Sequence, residues 1–497
     1  MSHHKLLVVG LDGATFDLIE PWVAAGVLPA FGRWLDVGAH GCLRSVPNTD
    51  TAPAWATFAT GLNPANHGIF HELGWSADRR TLRTMRGADR EGRAFWRIAS
   101  DAGRRVLIVN VPFTYPAESL NGVLLTGVDA PSENAPGFCY PSDFLRSVGE
   151  YRIESRIQAA IKENRPEDGL GDVYAVAERR TETLIYAMLQ GDWDLAVIVY
   201  NIPDVMQHFF WQQMLKNAGD QRHAIRDGYV FIEGEIERLM ACAGEDTNLL
   251  IMSDHGFGPI CATPEHLVAW LKRQGFTRTL GETQRSRRQQ LTRNLYTWLR
   301  KKLGESQKAA LRRWLPGLRN RIESDVRFAG IDWPKTTAYA GPSPYEIWIN
   351  CQGREPQGVV VPVADYECVC EDLIEALLEW CDLETGKKRV CAVYRRQDVY
   401  HGRYLDLAPD LTIEWNPEAS PLAVTLEGNT SLFDADHQPE GILLAAGPDI
   451  RAGVKIHGAT LADLSPTILQ LLGVPIAERM DGHILKKVFN SSLESQR

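Results

Sequence analysis

The chain has 497 residues, enough for a large hydrophobic core and for more than one structural unit. Hydrophobic residues make up 44% and charged residues 23% of the sequence, as in ordinary soluble globular proteins. The formal net charge of −10 excludes the overall basic character of proteins that bind nucleic-acid phosphates, so no nucleic-acid partner is expected.

The lack of a recognisable targeting signal and the pattern of cysteines indicate a cytoplasmic protein. No apolar run approaches the roughly 20 residues of a membrane-spanning helix, so we expect no transmembrane segment. The N-terminal residues lead directly into the apolar segment Lys5–Leu11, without the basic start, long apolar core and cleavage site of a signal peptide. The nine cysteines are scattered, and we expect reduced thiols. The sequence carries no prediction of the oligomeric state.

Nearly uninterrupted apolar segments predict a central parallel sheet, because strands buried on both faces lack alternating polar residues. These segments are Lys5–Leu11, Arg105–Val111, Asp194–Tyr200, Thr247–Met252 and Gly441–Gly447. Further strands are predicted at Glu346–Asn350, Val359–Val363, Val390–Arg395 and Leu411–Trp415. Helices are predicted at Val173–Leu189, after an interruption at Gly169 and Gly171, at Tyr366–Trp380 with Asp365 as its cap, and at Leu461–Leu472. Loops are predicted at His71–Arg93 and, over the surface, at Pro112–Pro141.

The segment Thr51–Gly61 is predicted to pass from a loop into a short helix. Pro53 suits the first helical turn, and Gly61 suits the end of the helix. Thr51 then lies beside the backbone N–H groups at the positive end of the helix, a position that attracts phosphate and other anions. Its hydroxyl is either a helix cap or a nucleophile, and this segment alone favours the cap.

Aspartate and histidine residues occur where α/β sheets bind their ligands, at the ends of predicted strands. They are Asp12, Asp204, His208, Asp254, His255 and His437. Taken singly, Asp12, Asp204 and His208 fit helix caps and an incidental histidine as well as they fit metal ligands. Together with the Thr51 hydroxyl, the set suits two divalent ions such as zinc, with manganese as an alternative. Two such ions would clamp a phosphoryl group and activate Thr51 as a nucleophile.

The composition becomes basic between Arg278 and Arg327, with 14 lysines or arginines against four acidic residues. Apolar residues on one helical face of this segment are Leu291, Leu295, Trp298, Leu299 and Leu303. An amphipathic basic segment can contact an anionic surface or partner, but a solvated helix packed on its own domain is favoured here. We predict an inserted basic helical cap segment over residues 278–330.

The order of these motifs resembles that of the alkaline phosphatase superfamily, in particular its nucleotide pyrophosphatase/phosphodiesterase branch. The motifs are Asp12-Gly13, Thr51–Ile69, Pro203-Asp204 with His208, Ser253–Gly256 and His437, followed by Asp463–Thr467 and Asp481-Gly482. The resemblance runs from residue 5 to about residue 485. It implies an α/β three-layer sandwich with a central mostly parallel sheet and inserted cap segments, forming a single catalytic domain over residues 1–497.

The resemblance also implies roles for individual residues. Asp204, His208 and His437 would hold one metal ion. Asp12, Asp254 and His255 would hold the second, with Thr51 bridging the two ions and forming a phospho-threonine intermediate. Backbone N–H groups near Ala52 would bind phosphate oxygens.

Three positions bear on the substrate. Glu72 stands where the phosphodiesterase branch usually has a phosphate-binding asparagine, and its carboxylate would repel a phosphate dianion. Trp55 replaces the arginine of a sulfatase motif, which, with threonine at position 51, argues against a formylglycine sulfatase. Arg354 lies in a segment similar to a prokaryotic group of predicted phosphohydrolases or phosphomutases. It would either grip a substrate anion or pair with Glu355, and the pair is favoured.

We therefore expect a two-metal phosphohydrolase that acts on a small phosphorylated substrate. A phosphodiester or a nucleotide pyrophosphate is expected to be cleaved in preference to a monoester. A phosphomutase of the same fold would instead return the phosphoryl group to its substrate. A non-catalytic binding protein on this scaffold is the other alternative, and the complete ligand set argues against it.

Overall fold

A computed structural model describes residues 4–76, 79, 81–280, 324, 327–328, 330–382, 385–419, 433, 435–476 and 479–490. The predicted cap segment at 278–330 falls mostly outside these residues. The chain divides into two compact units. Unit 1 comprises Met1–Ile69, Arg86–Pro259 and Val424–Arg497, and unit 2 comprises Phe70–Met85 and Ile260–Ala423. A single catalytic domain over 1–497 stays a prediction.

The strands and helices of the described residues are as follows. The strands are β1 Lys5–Leu11, β2 Ala39–Arg44, β3 Leu73–Trp75, β4 Leu82–Thr84, β5 Val106–Val111, β6 Gly122–Thr126, β7 Cys139–Tyr140, β8 Leu195–Tyr200, β9 Thr247–Met252, β10 Gly256–Pro259, β11 Ala338–Ala340, β12 Glu346–Ile349, β13 Val390–Arg395, β14 Leu411–Trp415, β15 Ala435–Gln438, β16 Glu440–Ala446, β17 Val454–Lys455 and β18 Ala459–Thr460. The α-helices are α1 Phe16–Ala24, α2 Pro29–Val37, α3 Thr51–Thr60, α4 Pro64–His67, α5 Phe95–Asp101, α6 Phe144–Val148, α7 Ile157–Lys162, α8 Pro166–Leu189, α9 Ile202–Leu215, α10 Ala224–Ala243, α11 Pro264–Gln274, α12 Ala364–Leu378, α13 Arg396–Val399 and α14 Leu464–Leu471.

Unit 1 is built on a large mixed sheet with the strand order β17-β2-β16-β9-β1-β8-β5-β6-β7, and β18 also pairs with β2. The five central strands, from β9 to β6, are parallel to one another. Alternate residues of β1 face two different hydrophobic cores. Leu7 and Val9 join one core with residues of α8, α9 and α10, whereas Leu6 and Val8 join another with residues of α3, α5 and α14. The predicted α/β architecture, a mostly parallel sheet between helices, is confirmed.

Unit 2 contains a four-stranded antiparallel sheet with the order β11-β12-β14-β13. Residues of α11 and α12 pack on it, with Leu267, Trp270, Leu373 and Leu377 almost completely buried. The strands β13 and β14 have the predicted bounds. A short antiparallel pair, β3 and β4, also belongs to this unit and lies inside the segment that was predicted to be a loop.

The prediction of a surface loop over Pro112–Pro141 is wrong for the middle of this segment. Residues Gly122–Thr126 form β6, which pairs in parallel with β5 inside the main sheet. Val123, Leu124 and Leu125 are buried there. The strand has only five residues, so its apolar signal was masked by the prolines and glycines around it.

Three other predictions need correction. Helix α8 begins at Pro166 and contains Gly169, where a side chain would lie 3.1 Å from Ile157 and Ala160 of α7, so glycine serves close helix packing there. Val363, not Asp365, is the N-cap residue of α12. Val359–Val363 is not a strand, since it has only a single bridge between Cys351 and Val360.

Among the described residues, no helix has both the length and the apolar character needed to cross a bilayer.

Candidate metal centre

The parallel strands of unit 1 bring three predicted carboxylates to one edge of the sheet. Strand β1 pairs with β8 on one side and with β9 on the other, so their carboxyl ends are adjacent. Asp12 follows β1, and its N–H donates to the carbonyl of Tyr200 at the end of β8 (3.0 Å). The N–H of Asp204, in the first turn of α9, donates in turn to the carbonyl of Asp12 (3.0 Å). Asp254 follows β9, and its Oδ1 accepts from the N–H of Gly13 (3.3 Å).

A first group consists of Asp204, His208 and His437. Asp204 and His208 lie four residues apart on α9, as predicted, and His208 Nε2 is 3.3 Å from Asp204 Oδ1. His437 Nε2 approaches the same oxygen to 3.4 Å. These three side chains are close enough together to hold one metal ion. His437 reaches the group because β15 pairs with β10, which follows directly on His255.

A second group consists of Asp12, Asp204 and His255. His255 Nε2 lies 3.5 Å from Asp12 Oδ1 and 3.4 Å from Asp254 Oδ2, so Asp254 adjoins this group. The rings of His255 and His437 stack with their centroids 3.7 Å apart. Asp204 therefore belongs to both candidate groups, a sharing that the sequence did not suggest.

Each of the three histidines is oriented by a backbone carbonyl. His208 Nδ1 bonds to the carbonyl of Ala435 (3.0 Å), His255 Nδ1 to that of Gly256 (3.0 Å), and His437 Nδ1 to that of Thr49 (2.7 Å). Since a carbonyl only accepts, each Nδ1 carries the proton. Nε2 of a neutral ring then points a lone pair at the carboxylates, which is the arrangement of metal-ligating histidines.

Four buried polar atoms of this centre lack a hydrogen-bond partner. They are Asp12 Oδ1, Asp204 Oδ1, Asp254 Oδ2 and His255 Nε2. Leaving a buried carboxylate oxygen unpaired is costly, and a bound cation removes that cost. The donor set of carboxylate oxygens and imidazole nitrogens fits divalent transition-metal ions.

The carboxylates repel one another in the absence of a cation. Burial, together with the charges of Asp254 and Asp204, raises the pKa of Asp12 well above its usual range. Burial raises the pKa of Asp254 to about 7. Burial alone would also raise the pKa of Asp204, but His208 and His437 hold it well below its usual range.

The pKa values of His255 and His437 are shifted in opposite directions. Burial lowers the pKa of His255 to about 3, so this ring is neutral at physiological pH. Burial also favours the neutral form of His437, but Asp204, Asp436 and Asp50 outweigh it and raise the pKa of this ring well above its usual value.

Metal affinity should therefore strengthen as the pH rises from about 6 to about 8. Below pH 7 the Asp254 carboxyl of the metal-free protein is mostly protonated, and a metal ion must displace that proton. Each proton released changes the affinity by up to about tenfold per pH unit. Calorimetric titration of the metal-free protein with Mn²⁺ at both pH values measures this slope. Asp254→Asn should lower this slope by the contribution of one proton, since Asp12 and His437 also have raised pKa values and their protons still compete with the metal. An affinity independent of pH would contradict the proposed proton competition.

Thr51 is the first residue of α3, and Asp50 is the N-cap residue. Thr51 therefore does not occupy the cap position, the alternative that this segment alone favoured, while the predicted helix end is confirmed by Gly61, whose φ is 67°. The hydrogen bond from His437 to the carbonyl of Thr49 ties the start of α3 to the first ligand group. Ala52 is buried in the first turn of α3. The roles of Thr51 and Ala52 stay predictions.

Glu72 and Arg354 belong to unit 2. Glu72 directly precedes β3, and its carbonyl accepts from the N–H of Met85 (2.8 Å). Arg354 forms a bidentate pair with Asp410 (2.8 and 2.5 Å) and bonds to Glu355 through Nε (3.0 Å). The Arg354–Glu355 pair favoured from the sequence is therefore present. The guanidinium therefore has a structural role within unit 2, and binding of a substrate anion by Arg354 stays a prediction.

Removal of the Asp410 carboxylate should strongly destabilise unit 2. Asp410 is fully buried and accepts from Arg354, from the N–H of Ile349 (2.7 Å) and from the hydroxyl of Tyr366 (2.8 Å). Asp410→Ala leaves the buried Arg354 guanidinium with Glu355 as its remaining carboxylate partner and leaves the Ile349 N–H and the Tyr366 hydroxyl unpaired, and we expect a loss of about 3–5 kcal/mol in the free energy of unfolding. Urea denaturation measures it. Glu418→Ala, which breaks the exposed pair with Lys387, is the control and should have little effect.

The structure adds two side chains that sequence reasoning missed. Gln207 is fully buried on α9 and donates from Nε2 to the carbonyl of Gly13 (2.8 Å), which anchors the turn after Asp12. Phe257 packs beside all three histidine rings. The sequence signal that could have identified Phe257 is its position directly after the strand-end motif Ser253–Gly256, two residues beyond His255. Gln207, between Asp204 and His208, had no distinguishing pattern.

The mostly parallel sheet between helices is the fold that the resemblance to the alkaline phosphatase superfamily implied. The model of the family described as type I phosphodiesterase / nucleotide pyrophosphatase matches residues 6–440. The chain belongs to that family. No curated protein matches it.

Solved structures of ectonucleotide pyrophosphatase / phosphodiesterase 5 have a similar fold. The human protein is 15% identical with a TM-score of 0.52, and the match covers 98% of this chain and 100% of that one. An inactive threonine-to-alanine variant of the murine protein, solved in complex with AMP, is 13% identical with a TM-score of 0.52. That match covers 96% of this chain and 97% of that one. At these identities the likeness concerns the fold.

Proposed function

We propose that this protein is a two-metal phosphohydrolase that cleaves a phosphodiester or a nucleotide pyrophosphate through a phospho-threonine intermediate on Thr51. The observation that carries the proposal is the pair of ligand groups that share Asp204. Sharing one carboxylate brings the two groups together, as two-metal phosphoryl transfer requires. Zinc is the proposed metal, with manganese as the alternative, because imidazole and carboxylate ligands suit both. The murine neighbour's complex with AMP supports a small nucleotide as substrate.

The proposed roles of the residues follow from their places. The Thr51 oxygen attacks phosphorus, and the bond from phosphorus to the leaving oxygen breaks. A water molecule then attacks the phosphorus, which releases the phosphorylated product and restores the Thr51 hydroxyl. Backbone N–H groups in the first turn of α3, near Ala52, stabilise the phosphate oxygens. When bound, the two divalent ions supply the positive charge that lowers the pKa of the attacking hydroxyl.

The local charge favours a diester over a monoester. The carboxylates of Asp12, Asp204 and Asp254 offset most of the charge of two divalent ions. Asp50 and Asp436 are close enough to raise the pKa of His437, so they add negative charge beside the first ligand group. A singly charged diester is then accommodated better than a doubly charged monoester.

Metal analysis and two chromogenic substrates test the proposal. We expect about two divalent ions per chain, with faster turnover of bis(4-nitrophenyl) phosphate than of 4-nitrophenyl phosphate. Two bound ions without release of phosphorylated product would instead favour the mutase. Failure to bind zinc or manganese would contradict the proposal altogether.

A further inference from the structure

Arg180 is a buried arginine beside the edge of the sheet that carries the candidate metal centre. It lies on α8 and is 1% exposed. Its guanidinium donates to neutral groups, which are the carbonyls of Ile153 and of Val199 (3.5 Å) and Oδ1 of Asn201 (2.8 Å). None of the ion pairs between described residues includes Arg180. Burial lowers the pKa of the guanidinium, but an arginine keeps its charge in proteins.

The buried charge of Arg180 is costly, because neutral acceptors compensate it only in part. Its Nε is buried without a hydrogen-bond partner. An apolar side chain of similar volume would fill the same space without this cost. Packing therefore does not explain an arginine at this position, and the explanation lies in the groups that it binds.

Asn201, which accepts from Arg180 Nη1, is the N-cap residue of α9 but does not cap this helix. An asparagine at this position normally has an extended backbone and accepts from an N–H of the first turn. Asn63 does so at the start of α4, with φ −65° and ψ 148°, and its Oδ1 accepts from the N–H of Ala65 (3.0 Å). Asn201 instead has φ −100° and ψ 16° and makes no capping bond.

The N–H group that Asn201 would cap joins two of the proposed metal ligands. Capping side chains accept from the second or third helical residue. In α9 the second residue is Pro203, which has no N–H, so the N–H of Asp204 remains. This N–H donates to the carbonyl of Asp12 (3.0 Å). A capping Asn201 would take it from Asp12, and the change to an extended backbone would move the start of α9.

We propose that Arg180 is a positioning residue for the metal centre, because it holds Asn201 out of the capping conformation and so keeps the Asp204 N–H on the carbonyl of Asp12. The inference rests on the proposed function, since it concerns how Asp204 is presented to the metal ions. The role is exerted through Asn201 and not through contact with metal or substrate.

Metal affinity and a second-site variant test this role. Arg180→Met removes the guanidinium and should weaken Mn²⁺ binding about tenfold in calorimetric titration, as loss of groups behind metal ligands typically does. Asn201→Ala cannot cap and should bind Mn²⁺ as the wild type does. The double variant should recover the wild-type affinity to within about twofold, because the competing side chain is gone. Arg180→Gln, which keeps a polar group for the neighbouring carbonyls, should show the same loss and recovery if Arg180→Met does not fold.

Met188→Ala is the matched control for lost stability. Met188 is buried on the same helix, but it lies beside the loop that leads to the start of β8, at the opposite edge of the sheet. This variant should lower the free energy of unfolding and leave the Mn²⁺ affinity unchanged.

Three results would overturn the positioning role while the proposed function stands. They are wild-type affinity in both Arg180 variants, failure of Asn201→Ala to restore the affinity, and an equal loss of affinity in Met188→Ala. A wild type that binds neither Mn²⁺ nor zinc would overturn both proposals.

Discussion

Replacing Thr51 by alanine is expected to lower kcat for bis(4-nitrophenyl) phosphate by at least about a thousandfold, because the oxygen proposed to attack phosphorus is removed. The metal content should remain at the wild-type value, since the six Asp and His residues proposed as ligands are untouched. Stopped-flow or steady-state release of 4-nitrophenol measures the loss, and elemental analysis measures the metal. Thr51 lies at the start of α3 and is only half-buried, so the substitution creates no large cavity.

Thr51→Ser is the matched control for this experiment. It keeps a hydroxyl at the same position and should retain much of the activity, whereas the alanine variant should not. Turnover of Thr51→Ala at the wild-type rate would remove Thr51 from the mechanism. Loss of bound metal in this variant would show that Thr51 is needed for the centre itself.

The second large effect is expected at Asp204. Because Asp204 belongs to both candidate groups, Asp204→Ala should lower the content of both metal ions and abolish turnover. His437 belongs to only one group, so His437→Ala should reduce the metal content by about one ion. Elemental analysis after equilibration with zinc compares the two variants.

The comparison also tests the sharing of Asp204. Equal metal loss in Asp204→Ala and His437→Ala would mean that the two groups do not depend on a common carboxylate. A full metal complement in His437→Ala would remove His437 from the ligand set. Val37→Ala, at an exposed position on α2, provides the reference for an unaffected site.

The central sheet could be predicted because its strands are buried on both faces. The bounds of β1 and β9 agree with the apolar segments residue by residue. The parallel pairing of β1 with β8 and β9 also follows from such strands, and it brings Asp12, Asp204 and Asp254 to one edge. This part of the centre was therefore accessible from sequence patterns alone.

The remaining features depend on contacts between distant parts of the chain. Strand β15 reads Ala435-Asp436-His437-Gln438 and has no apolar alternation, so its pairing with β10 had no local signal. The partner of Arg354 is Asp410, 56 residues away, and only the favoured pair with the adjacent Glu355 could be foreseen. Strand β6 has only five residues and lies among prolines and glycines, so its local signal was weak. It is stabilised by its parallel pairing with β5 in the main sheet.

Because backbone carbonyls orient the histidines, the candidate centre depends more on the lengths of the strands that carry these carbonyls than on the side chains there. Two of these carbonyls, from Gly256 and Ala435, lie in the paired strands β10 and β15. A substitution at Ala435 keeps its carbonyl, so the orientation of His208 survives many exchanges there. Insertion or deletion of one residue in β15 ahead of His437 turns His437 to the opposite face, and the same change in β10 shifts the pairing register of the two strands by one. The side chains around the candidate metal centre can therefore vary while these two strands keep their lengths.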